Sequence, residues 1–212
     1  MNTIPAVLIT GASSGIGATY AERFARRGHD LVLVARDGAR LETLAAQLRQ
    51  DNGITVDVLP ADLTQPDELA AVETRLRDDN RIGILVNNAG MNISGSFIEQ
   101  ATDDIERIIT LNTTALARLA SAVAPRLAAA GEGAIINIGS VVGLAPSYPG
   151  SSNQTSSPCC KRTCAARFIA CWVPLTISIC SSVQFRPRVV RTYSLMANLN
   201  GLNPKGSLSL QS

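Results

Sequence analysis

A chain of 212 residues, 46% hydrophobic and 17% charged, with 16 Gly and 10 Pro, has the length of one domain and the apolar content to build a single core. Its formal net charge of +2 gives no electrostatic case for nucleic acid or an anionic membrane surface, so neither is expected as a partner. No apolar run reaches the roughly 20 residues that span a bilayer, and no charged n-region precedes an apolar stretch at the N-terminus, so the expectation is a cytoplasmic protein.

From residue 1 to 150 the chain alternates apolar runs of strand length with longer helical patterns. Ala6–Thr10 is a continuous apolar run ending at Gly11, as suits a strand buried on both faces. Residues 18–27 read as a helix, with Arg26 and Arg27 complementing its C-terminal dipole and Gly28 placed as its cap. Leu31–Val34 is a second buried strand, and Leu41, Leu44, Ala45 and Leu48 give residues 38–50 a helical stripe. Ile54–Leu59 reads as a third strand, Pro66–Arg77 as a helix and Ile82–Val86 as a fourth strand. A long helical pattern over about 103–130 precedes a fifth strand at Ala134–Ile138. This alternation predicts a doubly wound α/β fold, a Rossmann-like parallel sheet in the order 3-2-1-4-5, because right-handed crossovers must pack back on the sheet. No internal repeat is visible.

Beyond residue 150 the rhythm fails. All 17 acidic residues lie in 1–150, the last being Glu132, whereas 7 of the 19 Lys and Arg lie after it. An ordinary stretch the length of 151–212 would hold about seven acids; this one holds none. All five cysteines and the only Trp, Trp172, also fall there. Residues 150–158 read as a polar loop, Phe168–Val183 is apolar without a clear period and contains Pro174, and the polar tail Ser194–Ser212 is expected to be poorly ordered. Cys159, Cys160, Cys164, Cys171 and Cys180 lack Cys-x-x-Cys spacing, and the only His, His29, is remote in sequence, so no metal site is expected. A disulfide framework is equally unexpected in a cytoplasmic chain of this size.

Chemistry enters between the first strand and the first helix, at Thr10-Gly11-Ala12-Ser13-Ser14-Gly15-Ile16-Gly17. Gly11 permits a tight turn, Gly15 lets the backbone approach a ligand, and Gly17 lets the helix start against the strand. Free amides at that helix start, with the positive end of its dipole, suit a pyrophosphate. No Lys-Ser/Thr follows Gly17, so the loop is not a Walker A motif. An ordinary Gly-rich loop is the alternative.

The Gly-x-x-x-Gly-x-Gly spacing resembles that of the short-chain dehydrogenase/reductase family. Four further segments resemble it in the same order over residues 5–145. Asp62-Leu63 follows the third strand, where the family contacts adenine. Asn87-Asn88-Ala89-Gly90 follows the fourth. Asn112 sits in the long helix in the context Leu-Asn-Thr, and Ile138–Gly143 looks like the segment carrying the catalytic Ser, here Ser140. Taken singly, these would read as a loop acid, a turn, a polar helix-face residue and a strand-end hydroxyl. Together the resemblance implies a dinucleotide-binding domain over 1–150, with cofactor-binding residues Gly11, Ser13, Ser14, Gly15, Ile16, Gly17, Arg36, Asp62, Leu63, Asn88, Ala89 and Gly90. It implies Ser140 and Asn112 as catalytic residues, and hydride transfer between a nicotinamide cofactor and a small alcohol or carbonyl substrate.

The end of the second strand bears on the cofactor. An acid there would hydrogen-bond the ribose hydroxyls, whereas an Arg would pair with a 2′-phosphate. Ala35 stands where NAD-using relatives carry their acid and Arg36 follows, so NADP is expected over NAD. Asp37 keeps the alternative open, because a one-residue shift of the strand end would bring it to the ribose.

In the mechanism the resemblance implies, a Tyr phenol is the general acid/base and a Lys four residues later lowers its pKa. Ser140 would hold the substrate oxygen, and Asn112 would support a water chain to the Lys. A phenol with a pKa of about 10 is a poor base near neutrality without such a cation. At the expected distance after Ser140 stand Ser151–Ser157, without a Tyr. Tyr148 is too close and has Ser152 four residues on, while Lys161 has Ser157 four residues before it. Val183–Thr192 is faintly similar to the segment after the family's sixth strand, with Pro187 in place but Arg188 where Gly is usual. The family's substrate loop and seventh strand are not found.

The expectation is therefore a chain frameshifted or truncated after about residue 150, with 151–212 an aberrant segment. The leading function is an NADP(H)-dependent short-chain oxidoreductase; the alternative is a catalytically inactive dinucleotide-binding remnant, a pseudogene product. Membrane association through Phe168–Val183 is discounted because the run is short and broken by Pro174. Relatives pair through two long helices, of which only 103–130 is recognisable, so a homo-oligomer is expected of intact relatives rather than of this chain.

Overall fold

The computed structural model describes residues 4–93, 97–140 and 191–197. Strand β1 (Ala6–Thr10) is buried along its whole length, as is β2 (Leu31–Ala35), so both contribute side chains to two faces. Between them α1 (Gly15–Ala25) starts three residues earlier than its hydrophobic pattern suggests, and Gly28 adopts the left-handed backbone (φ 79°) that turns the chain into β2. Helix α2 (Gly38–Asn52) is capped by the Asp37 carboxylate and stopped by the left-handed Gly53. Strand β3 (Val56–Pro60) leads to α3 (Pro66–Asp78), whose first turn carries Pro66, Asp67 and Glu68 and whose last turn carries Arg75 and Arg77, all placed to favour the helix dipole. After β4 (Ile82–Asn87) comes a short 3-10 turn at Phe97–Glu99.

The long pattern expected over 103–130 is one helical run with a change of winding inside it. It comprises α4 (Thr102–Ile109), π-helical turns over Thr110–Ala115 and α5 (Leu116–Ala130). The widened stretch contains Asn112. Strand β5 (Ala134–Ser140) follows, and β6 (Arg191–Ala197) completes a six-stranded sheet in the order β3-β2-β1-β4-β5-β6 with every neighbouring pair parallel.

One expectation changes at β6. Residues 194–197 belong to a strand rather than to a loose tail, because β5 would otherwise leave a row of unpaired backbone groups at the sheet edge. Thr192 pairs with Ile135 early in the strand, at the end of the sheet remote from the Gly11–Gly17 turn. The segments 150–158 and 168–183, together with Tyr148 and Lys161, lie outside the described residues.

Strand alternation divides the core in two. Leu8, Val32, Val34 and Leu85 pack with Leu69, Val72 and Leu76 of α3 and with Leu119, Val123 and Leu127 of α5. On the other face Val7, Ile9, Leu31, Leu33 and Val86 pack with Ala21 and Ala25 of α1 and with Leu41, Ala45 and Leu48 of α2. The chain runs outward from β1 to β3, then returns to the opposite side of β1 with β4. Such a reversal opens a crevice above the C-terminal ends of β1 and β4, where open α/β sheets take ligands. Among the described residues, no helix is long and apolar enough to cross a membrane.

Candidate functional site

Thr10, at the end of β1, braces the crevice. Its buried hydroxyl donates to the Val86 carbonyl at 3.3 Å and accepts the backbone amides of Asn88 and Ala89, each at 3.0 Å. The Asn88 side chain answers from just beyond β4, donating to the carbonyls of Thr10 and Gly11 at 3.1 Å each. Five hydrogen bonds thus lock the Gly-rich turn onto β4 and the segment after it before any ligand is considered.

This lock explains two glycines. Gly11 has φ 65°, and a Cβ there would fall 2.9 Å from both Ala89 Cα and Asn88 Nδ2. A Cβ at Gly17 would meet the Gly11 carbonyl and lie 2.6 Å from Asn88 Nδ2, so α1 can start against β1 only without a side chain. Ser14, in extended conformation, gives α1 no side-chain cap, so the amides of its first turn are left without that partner. Above the turn at Gly15 the space is open for 4 Å. Ser13 is half-buried, while Ser14 and Gly15 are exposed.

At the ends of β2 and β3 the charges are disposed unequally. Arg36 is exposed, and its guanidinium makes no hydrogen bond or ion pair among the described residues. Asp37 points its charge into α2: Oδ1 accepts the Arg40 amide at 3.0 Å and Oδ2 lies 3.3 Å from Arg40 Nε. Asp62 accepts from the Thr64 amide at 2.9 Å and the Thr64 hydroxyl at 2.7 Å, both on Oδ1, and its own amide donates to Glu68 at 2.5 Å. Burial pushes the Asp62 carboxyl up, but the two Thr64 hydrogen bonds, with the fields of Arg36 and Arg107, hold it below the ordinary carboxylate value. Leu63 turns inward and is buried in the core beneath.

Asn112, in the π-helical turns, takes both polar atoms of its side chain to one residue. Oδ1 accepts the Met91 amide at 2.9 Å, and Nδ2 donates to the Met91 carbonyl at 2.8 Å. The side-chain amide of Asn112, the residue the family resemblance sets beside a water chain, holds the backbone beyond Gly90. Ser140 ends β5 at the same edge of the sheet as the Gly-rich turn. Asn137, three residues earlier, accepts from the buried Asn87 side chain at 3.0 Å across the β4–β5 pair.

Thr10 and Asn137 were missed by sequence reasoning, although each is a polar residue inside an otherwise apolar strand. That pattern was the available signal. The remaining residues converge: the turn over Gly11–Gly17, Asn88–Gly90 and Asn112 surround the β1–β4 crevice, with Arg36 and Asp62 along the adjoining β2 and β3 ends.

Residues 5–157 match the short chain dehydrogenase family. The chain belongs to that family. Among solved relatives is the short-chain dehydrogenase of Sphingobium yanoikuyae in complex with NADPH, 55% identical, with a TM-score of 0.77 over 92% of this chain and 71% of that one. The bulky-bulky ketone specific alcohol dehydrogenase of Comamonas testosteroni is 47% identical, with a TM-score of 0.77 over 95% of this chain and 76% of that one. Human 17-beta-hydroxysteroid dehydrogenase type 3 is 34% identical over 141 residues, covering 66% of this chain and 45% of its own length. The chain thus spans less than half the length of this curated short-chain relative.

Proposed function

We propose that the chain carries the fold and cofactor site of an NADP(H)-dependent short-chain oxidoreductase of the kind that acts on a small alcohol or carbonyl, with the dinucleotide held across the β1–β4 crevice. Its residues fit such a group. The open space above Gly15 and the amides of the first turn of α1 suit a pyrophosphate, which the positive end of the helix dipole also favours. By the family resemblance, Asp62 and the Leu63 backbone would read an adenine edge, with Asn88 to Gly90 beside it. When bound, the cofactor supplies the hydride donor or acceptor. Thr10 and Asn88 hold the turn rigid, and Asn112 fixes the chain beyond Gly90 through Met91. Ser140, at the end of β5, would hold the substrate oxygen.

Arg36 is the observation that carries the NADP(H) reading. It follows β2 without an ion-pair partner among the described residues, while the neighbouring Asp37 has both oxygens engaged by α2. The acid that could have addressed ribose hydroxyls is thereby turned away. Calorimetric titration with NADPH and NADH tests the reading. Arg36→Ala should weaken NADPH binding by about 1.5–3 kcal/mol, as for a lost charge-assisted hydrogen bond, with little effect on NADH. Equal losses would assign the discrimination elsewhere.

A second reading concerns turnover. Ser151–Ser157 contain neither the Tyr nor the Lys of the family's proton-transfer pair, and 151–212 contain no acidic residue. We infer that this chain binds the dinucleotide but barely reduces a carbonyl, and that its sequence from about residue 151 derives from a shifted reading frame. The family match ending at residue 157 supports the placement of that break. Resequencing the coding DNA tests it; an uninterrupted frame through the region would sink it.

A further inference from the structure

Helices α3 and α5 pack side by side on one face of the sheet, and a groove of about 430 Å³ opens between them. It is walled by Glu73 and Arg77 of α3 and by Arg118, Ser121, Pro125 and Arg126 of α5. On α5 these residues recur every three or four positions, so one face of the helix sets Arg118 and Arg126 at either end with Ser121 between them. Arg77 stands one turn beyond Glu73 on the facing ridge of α3. Arg126 donates to the carbonyl of Ile82, the first residue of β4, which puts the groove toward the end of the sheet opposite the Gly-rich turn.

Three guanidiniums line this groove against one carboxylate, and that carboxylate is already engaged. Arg118 grips Glu73 with two prongs, Nε to Oε1 and Nη2 to Oε2, and the Glu73 side chain is only 13% exposed. Arg77 is exposed and makes no hydrogen bond or ion pair among the described residues. Arg126 directs Nη2 to the carbonyls of Leu76 and Ile82, at 3.1 and 2.6 Å, while its Nε is buried without a hydrogen-bond partner among the described residues. Burial pushes this guanidinium below its ordinary value, and the field of Asp79 offsets that only in part. A buried donor without an acceptor and cations short of negative charge are both relieved by an oxyanion.

We propose that the α3–α5 groove is an anion site separate from the β1–β4 crevice, taking the phosphate of a small phosphomonoester among Arg77, Arg118 and Arg126. Forked guanidinium donors match phosphate oxygens, and Ser121 adds a hydroxyl. The volume is in the range of small-molecule sites, larger than a bare ion needs. None of these residues belongs to the crevice, so the site stands or falls apart from the dinucleotide reading. Phenyl phosphate and inorganic phosphate are the probes, titrated into the full 212-residue chain at an ionic strength held constant with chloride. Amide NMR shifts should saturate and cluster at residues 73–77 and 118–126, with phenyl phosphate binding more tightly than inorganic phosphate. Arg77→Ala should weaken phenyl phosphate about threefold or more without moving the unfolding midpoint. Glu73→Gln should tighten it by about threefold, because the amide still accepts from Arg118 while the competing charge is gone.

Shifts confined to residues 11–17 would place the phosphate at the Gly-rich turn and overturn the groove as a site. Unchanged affinity in Arg77→Ala, or weaker binding in Glu73→Gln, would do the same, since a charge-based site must respond to both in opposite directions. Equal affinity for the two probes would overturn the phosphomonoester and leave free phosphate as the occupant.

Discussion

Below the N-terminal ends of β3 and β4, Asp57, Arg75, Asp79 and Arg81 close on one another, whereas above the C-terminal ends of β1 and β2 the Arg36 guanidinium and the first-turn amides of α1 stay open. In the lower cluster Arg81 Nη2 lies 2.7 Å from Asp79 Oδ2 and 3.3 Å from Asp57 Oδ2, and Arg75 pairs with the same two carboxylates. At the upper end Arg36 has no ion-pair partner among the described residues, and α1 has no side-chain cap. Charges that satisfy each other brace a fold; charges left open can meet a ligand. Damage above should therefore remove binding, and damage below should remove stability without touching binding.

The largest effect is expected at Gly17. A Cβ there would meet the Gly11 carbonyl and the Asn88 side chain, both held in the Thr10 lock. Gly17→Val should abolish detectable NADPH binding in calorimetry and lower stability by about 1–3 kcal/mol, since α1 must move off β1. Retained affinity would mean that the turn is not the binding element.

Thr10 tests whether the upper end is prebuilt. Thr10→Val removes the acceptor of the Asn88 and Ala89 amides and should cost about 1–3 kcal/mol in denaturant unfolding. Thr10→Ser keeps the hydroxyl and should cost much less. Equal losses would reduce Thr10 to a packing residue.

The smallest effect belongs to the lower end and is pH-dependent. Hydrogen bonds from Arg81, outweighing the cost of burial and aided by the charge of Arg75, hold the Asp79 carboxyl below its ordinary value. A carboxyl depressed in the folded state stabilises it above the unfolded value of about 3.9, and the stabilisation is lost as pH falls through the lower folded value. Asp79→Asn should cost about 1 kcal/mol or less at neutral pH. It should flatten the acid limb of a stability–pH curve below about pH 4 and leave NADPH affinity unchanged. A change in NADPH affinity would break the separation between the two ends.

Much of the upper end was legible in the sequence because its chemistry is local. A turn that packs a helix start against a strand end this closely needs Gly11 and Gly17, and the apolar runs of 6–10, 31–34 and 82–86 are strong. What escaped depends on contacts across long sequence separations. The hydroxyl of Thr10 meets Asn88 and Ala89 only once β1 and β4 are neighbours. The same holds for Asn137 and Asn87. Asp37 stood open in the sequence as a ribose ligand, and its role as the cap of α2 is set by where that helix starts rather than by the end of β2. The change of winding at 110–115 left no mark on an apolar pattern that reads as one helix. Strand β6 was invisible because edge pairing with β5, rather than its own composition, forms it.

The most direct measurement follows NADPH in one sample of the purified chain, recording binding by calorimetry and oxidation by absorbance against a panel of aldehydes, ketones and diones. Saturable binding is predicted, with turnover about 10²–10⁴-fold or more below a short-chain relative that carries the Tyr and Lys. Robust reduction would contradict this and require another proton donor. A well-folded sample that fails to bind NADPH would contradict the assignment of the upper end of the sheet as a dinucleotide site.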